Sequence, residues 1–239
     1  MYRFDSRFLR QFDSVTRQFT ETGEFFYHLA VHTRLGKVPR LDSMAKIKVA
    51  KESSDTPRQH RISITYDKAS RSFVPSPAEL TVNRKDTVQW HKPGNDGHGY
   101  YVAVMDAKGK KIFTSQSLHN NAVFTHFFSH PGDYRYRNIL SDSHQRPVIR
   151  VYQVDPSKAD WPKLSTTPVL IRFSDGKFTP DDVRVPEGGT VIWLIEGSEP
   201  VAIQLDCYDL KKIDPDMIPR PPRGKKGCKP DTEDDGCKG

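Results

Sequence analysis

The chain has 239 residues, 35% hydrophobic and 28% charged, with 37 Lys+Arg against 30 Asp+Glu and 3 Cys. That length suits one large domain or about two small ones, and the even spread of Leu, Ile, Val and Phe as far as residue 213 excludes a disordered chain. The longest apolar run, Val191 to Ile195, falls far short of the roughly 20 residues that cross a bilayer as a helix, so neither a membrane span nor a signal-peptide stretch is read here.

Taken in chain order, residues 1–50 read as the second half of a repeated unit. Val15, Phe19, Gly23, Phe25 and Tyr27 return as Phe124, Phe128, Gly132, Tyr134 and Tyr136 at one offset of 109 (132 − 23), and Phe4 and Leu9 return as Phe113 and Leu118. Ile47-Lys48-Val49 likewise returns as Ile149-Arg150-Val151. Residues 51–59, with Pro57, read as a linker.

Residues 60–154 hold both halves of the unit. Period-two alternation predicts strands at 61–66, 79–82, 87–90, 100–105, 123–128, 133–137 and 148–154, separated by Gly, Pro, Asn and Asp clusters. So many short strands in about a hundred residues predict an all-β protein of tandem β-sandwiches. Residues 155–167 read as a second linker, and 168–213 as a first half only: Phe73-x-Pro75 and Thr87-Val88-x-Trp90 return as Phe178-x-Pro180 and Thr190-Val191-x-Trp193. The two Trp lie 103 apart (193 − 90). Residues 214–239 form a Pro-rich tail with blocks of charge. Because Met1 aligns with Lys110, inside a unit, the expectation is a fragment of a longer protein whose upstream part holds the other half-unit and a secretion signal.

The middle unit resembles a cupredoxin, a plastocyanin-like Greek-key sandwich. The residues that carry the resemblance are Phe73-x-Pro75, Leu80-x-Val82, Thr87-Val88-x-Trp90, the Gly-rich loop ending at His98, Gly132-x-Tyr134-x-Tyr136 and the closing Val148 to Val151. The family implies a copper site built from one His after the Trp strand and a Cys, a His and a Met after the Gly-x-Tyr-x-Tyr strand, a set that suits copper's preference for imidazole and sulfur. His98 matches the first ligand, and His144 lies in the later loop. Arg137, however, stands at the Cys position and no Met follows. In the first copy the Cys position is His28, followed by His32 and Met44, with the first ligand expected upstream of Met1. In the last copy Val201 stands at the first-ligand position.

The metal candidates are therefore His98, His144, His28 and His32, and the expectation is a decayed site with no cofactor. His119, His126 and His130 read as solvated, since the first copy has Arg17 and Glu21 in the places of the last two. No nucleophile-base motif, phosphate loop or zinc motif appears, so no enzyme is expected. The acidic run Asp231 to Gly236 lacks the distal ligand of a calcium loop, and Cys228 with Cys237 offers one small clasp. The surplus of seven positive charges (37 − 30) lacks aromatic platforms beside it, which argues against specific nucleic-acid binding. The functional expectation is a secreted, non-enzymatic module of the extracellular matrix, a mineralised matrix being one concrete version, that engages matrix proteins, polyanions or mineral surfaces. The alternative is a copper carrier or a piece of a multicopper oxidase.

Overall fold

The structure, a computed structural model, describes residues 4–30, 44–53, 55–94, 96–153 and 166–209. It is all-β. Nine strands come first: β1 (Asp13–Gln18), β2 (Gly23–Ala30), β3 (Ala45–Ser53), β4 (Gln59–Asp67), β5 (Ser72–Ser76), β6 (Glu79–Arg84), β7 (Thr87–His91), β8 (Tyr101–Asp106) and β9 (Lys111–Thr114). Eight follow: β10 (Ala122–Phe128), β11 (Gly132–Asn138), β12 (Val148–Tyr152), β13 (Val169–Ser174), β14 (Lys177–Thr179), β15 (Asp182–Pro186), β16 (Gly189–Ile195) and β17 (Ile203–Asp209). The alternation that predicts them is the alternation of burial: Ala122, Phe124, His126 and Phe128 of β10 point into the core while their neighbours do not.

The strands form an eight-stranded sheet in the order β14-β13-β16-β10-β1-β7-β4-β5, a four-stranded sheet β15-β12-β11-β17 and a five-stranded sheet β6-β3-β2-β8-β9. The half of the large sheet made of β1, β7, β4 and β5 faces the five-stranded sheet, with the Tyr27 ring 5.7 Å from Trp90. The other half faces the four-stranded sheet, with Tyr136 packed 5.5 Å from Trp193. Two sandwiches thus share one continuous sheet.

This pairing differs from the expected unit at 60–154. Strands β4 to β9 close with β1, β2 and β3, whereas β10, β11 and β12 close with β13 to β17. The partners of the first half-unit therefore lie downstream, at 59–114. The physical reason is connection length: only residues 54–58 separate β3 from β4, and short connections join neighbours. Alternation within a strand shows which face is buried but not which copy of the partner covers it.

The seam between the sandwiches is the antiparallel pair β1·β10, in which Val15 is the direct partner of Phe124. These two are each other's counterparts at offset 109 (124 − 15), so an approximate two-fold axis passes through them. Around it the leading segments are exchanged. Ser6 donates its N–H to the Ile203 carbonyl at 2.9 Å, and Ser115 donates to the Val102 carbonyl at 3.0 Å. Each serine hydroxyl accepts the return bond, from Ile203 N at 3.0 Å and from Val102 N at 3.1 Å. Phe4 and Ser6 therefore complete the second sandwich, while β9 completes the first. Each chain segment then crosses over: Leu9 pairs with Tyr100 of the first sandwich, and Leu118 with Val201 of the second.

Candidate functional site

The loop that leaves β7 carries His98. Its ring stacks on Tyr66 with centroids 3.9 Å apart, and its Nδ1 lies 2.9 Å from the Asp96 carbonyl. A carbonyl only accepts, so Nδ1 holds a proton and Nε2 faces outward. Beneath the ring the Lys92 side chain is almost wholly buried, and its ammonium donates to the Asp96 carboxylate and the His98 carbonyl. Burial alone raises the Asp96 carboxyl, but the bonds from Lys92 and from the His98 N–H outweigh it and leave the group below the usual carboxylate range. Gly99 is required beside this knot, because an added Cβ would overlap the Phe8 ring that closes over the loop.

The sign of the Asp96 shift gives a prediction. A lowered folded pKa contributes stability that is present above the unfolded value and is lost as pH falls through the folded one. Amide exchange in residues 93–99 is expected to speed up below about pH 4, and in Lys92→Met at neutral pH, with the rest of the chain unchanged. Exchange in this loop that is indifferent to both would show that the clasp does not hold it.

The β11–β12 loop of the second sandwich is also closed by polar clasps. Arg137, at the position where the resemblance asks for Cys, pairs with Asp206 at 3.3 Å, and Arg146 reaches the same carboxylate at 3.1 Å. Asn138 accepts from Leu140 N at 3.1 Å and from Ala202 N at 3.0 Å. Gln145 holds both backbone groups of Phe178, at 3.0 and 2.9 Å, which pins the β11–β12 loop to β14. His144, between these pins, is exposed.

The three metal candidates among the described residues, His98, His144 and His28, are not brought together. His98 belongs to the first sandwich and His144 to the second, so the expected pairing of the two within one unit does not form. His28 shares the first sandwich with His98 but points outward from β2, its ring 5.9 Å from Tyr101; Tyr27 takes the inward place. Burial, and then the Lys111 charge, lower the His28 pKa. His32, Cys228, Cys237 and the acidic run lie outside the described residues. Among the described residues no group of three His, Cys, Asp or Glu is placed to hold a metal ion. The pairing also moves one alignment: Val201 is the counterpart of Tyr100 (201 − 100 = 101), so Glu199 stands opposite His98.

Sequence reasoning missed the buried pair at the seam. His126, expected on a wet face, is 7% exposed, and its Nδ1 lies 2.6 Å from the carboxylate of Asp13, also buried. The partner comes from 113 positions away (126 − 13). The only sequence signal was Asp13 two positions before Val15, on the same strand face.

Comparison with protein-family models, with curated proteins and with solved structures finds no match to this chain.

Proposed function

We propose that the chain is a non-enzymatic scaffold and binding module built from copper-less, cupredoxin-like sandwiches, and that it works outside the cell as part of a matrix. One observation carries this reading. At the position that the resemblance assigns to the copper-ligating Cys, Arg137 shares the Asp206 carboxylate with Arg146, and the loop that carries His98, the first-ligand match, is closed by Lys92 with Asp96. A cation held at that place repels a second one and engages the carboxylates that would otherwise attract it. The chemistry left to such a protein is recognition by surfaces, and tandem sandwiches are a rigid frame for it. The extracellular setting is supported by composition, through the Pro-rich charged tail and the Cys228 and Cys237 spacing.

The test is metal content. After incubation with cupric or cuprous ion and desalting, mass spectrometry is expected to find fewer than about 0.1 copper per chain. Near one copper per chain, lost in His98→Ala, would overturn the reading in favour of copper transport or redox chemistry.

A further inference from the structure

We propose that the outward face of the five-stranded sheet binds a sulfated polysaccharide, an inference that rests on the reading of the chain as a binding module. The register across that face places Lys46, Phe26 and Met105 side by side on β3, β2 and β8, and Lys111 on β9 closes the row. With strands about 4.8 Å apart, the two lysines stand roughly 14 Å from each other across an apolar strip. Met105 is only 7% exposed although its register places it on the outward face, so its neighbours cover it. In the next rows lie His28 and Tyr101, and the Lys111 charge reaches His28, which places that ammonium on the same face.

Charge decides the partner. The acidic groups facing this row are Glu24, 3.7 Å from Lys46, and Glu79, the cross-strand neighbour of Lys46. Asp106 spends its carboxylate on the N–H groups of Lys108 and Lys110 in the β8–β9 turn. Among the described residues, Lys48, Lys108, Lys110 and Lys111 have no carboxylate within salt-bridge distance, and all four are exposed. The same face of the second sandwich is organised differently. Arg150, the counterpart of Lys48 (150 − 48 = 102), is held by Asp133 at 3.2 Å and Asp182 at 2.9 Å. There two carboxylates converge on the central cation, whereas at the matching place in the first sandwich Lys48 has none within salt-bridge distance.

The apolar strip selects among polyanions. Single-stranded nucleic acid binds where open aromatic faces accept bases. Here the Lys46 ammonium lies 5.7 Å from the Phe26 ring centre, and His28 meets Tyr101 edge to face at 79°. Sugar rings need no stacking slot; their C–H faces pack on the half-buried Phe26 while sulfates reach the flanking lysines.

The test uses the full chain and three probes of matched length: heparin oligosaccharide, the same oligosaccharide desulfated, and single-stranded DNA. Heparin is expected to bind, with Lys48→Glu/Lys111→Glu lowering affinity by about tenfold and reducing the salt slope by roughly 2, while a control reversal at two exposed sites elsewhere, Lys68→Glu/Lys177→Glu, changes neither. Equal loss in the control would mean attraction by net charge alone and would overturn the proposal. So would DNA or desulfated sugar binding as tightly as heparin, or no heparin binding at all. Copper content measured on the same preparation separates the two failures: no heparin binding with low copper removes only this face, whereas a full copper equivalent removes the module reading beneath it.

Discussion

Phe4→Ala is expected to loosen the second sandwich and leave the first intact, although residue 4 precedes every strand of the first. The Phe4 ring is 1% exposed and sits among Phe124, His126, Phe128, Tyr136 and Trp193, with centroids 5.0 to 6.4 Å away. Truncating a buried Phe costs about 3–5 kcal/mol, through lost transfer energy and the cavity left behind. Hydrogen exchange read by segment is the direct check: protection should fall across 122–138 and 189–205 and hold across 59–105. Phe113→Ala, which removes the counterpart ring packed 5.9 Å from Trp90, should give the mirror image. Loss confined to the first sandwich in Phe4→Ala would mean that the leading segments are not exchanged.

The second large effect is expected at the seam. Burial raises the Asp13 pKa, and the hydrogen bond and charge of His126 act against that rise. A raised folded pKa contributes stability that is fully present below the unfolded value and is lost as pH rises through the folded one, so ionised Asp13 is a cost at neutral pH. His126 offsets that cost, as does the Arg10 N–H, which donates to the carboxylate at 2.9 Å. His126→Leu leaves the carboxylate buried without its main partner, and a loss of about 3–5 kcal/mol at pH 7 is expected by chemical denaturation. The deficit should shrink as pH falls, because the buried carboxyl takes up its proton above the usual carboxylate range. Adding Asp13→Asn should recover most of it at pH 7, and the double-mutant cycle then gives the coupling. A deficit that is flat with pH and unrelieved by Asp13→Asn would show that His126 acts through packing alone.

Much of the fold was legible in the chain because burial alternates where the sequence alternates. Trp90 and Trp193, Tyr27 and Tyr136 all sit in cores, as their spacing requires. The short strand β9 was not legible as a strand, because Lys108-Gly109-Lys110-Lys111 leading into it carries no alternation. Which half-unit closes with which was hidden for a different reason: both copies present similar edges, and the choice is made by the connections at 54–58 and by the crossovers at Ser6 and Ser115. Among the candidate residues, His98 could be placed in its loop from its Gly-rich surroundings. That Lys92 would turn inward beneath it could not, since a lysine in a Pro-Gly loop is ordinarily solvated and only Asp96 makes its burial tolerable.

The exchange of leading segments also sets how the molecule meets tension. Asp5 is the antiparallel partner of Gln204, so the first and last described residues, Phe4 and Asp209, lie toward the same end of one strand pair. A pull that separates them peels that pair open one hydrogen bond at a time instead of loading all its bonds together. The Phe4 plug is then the first element drawn out, and the next pair loaded from that side is Leu9 with Tyr100 of the first sandwich. Such an arrangement behaves as a mechanical fuse, with extension beginning at one defined place.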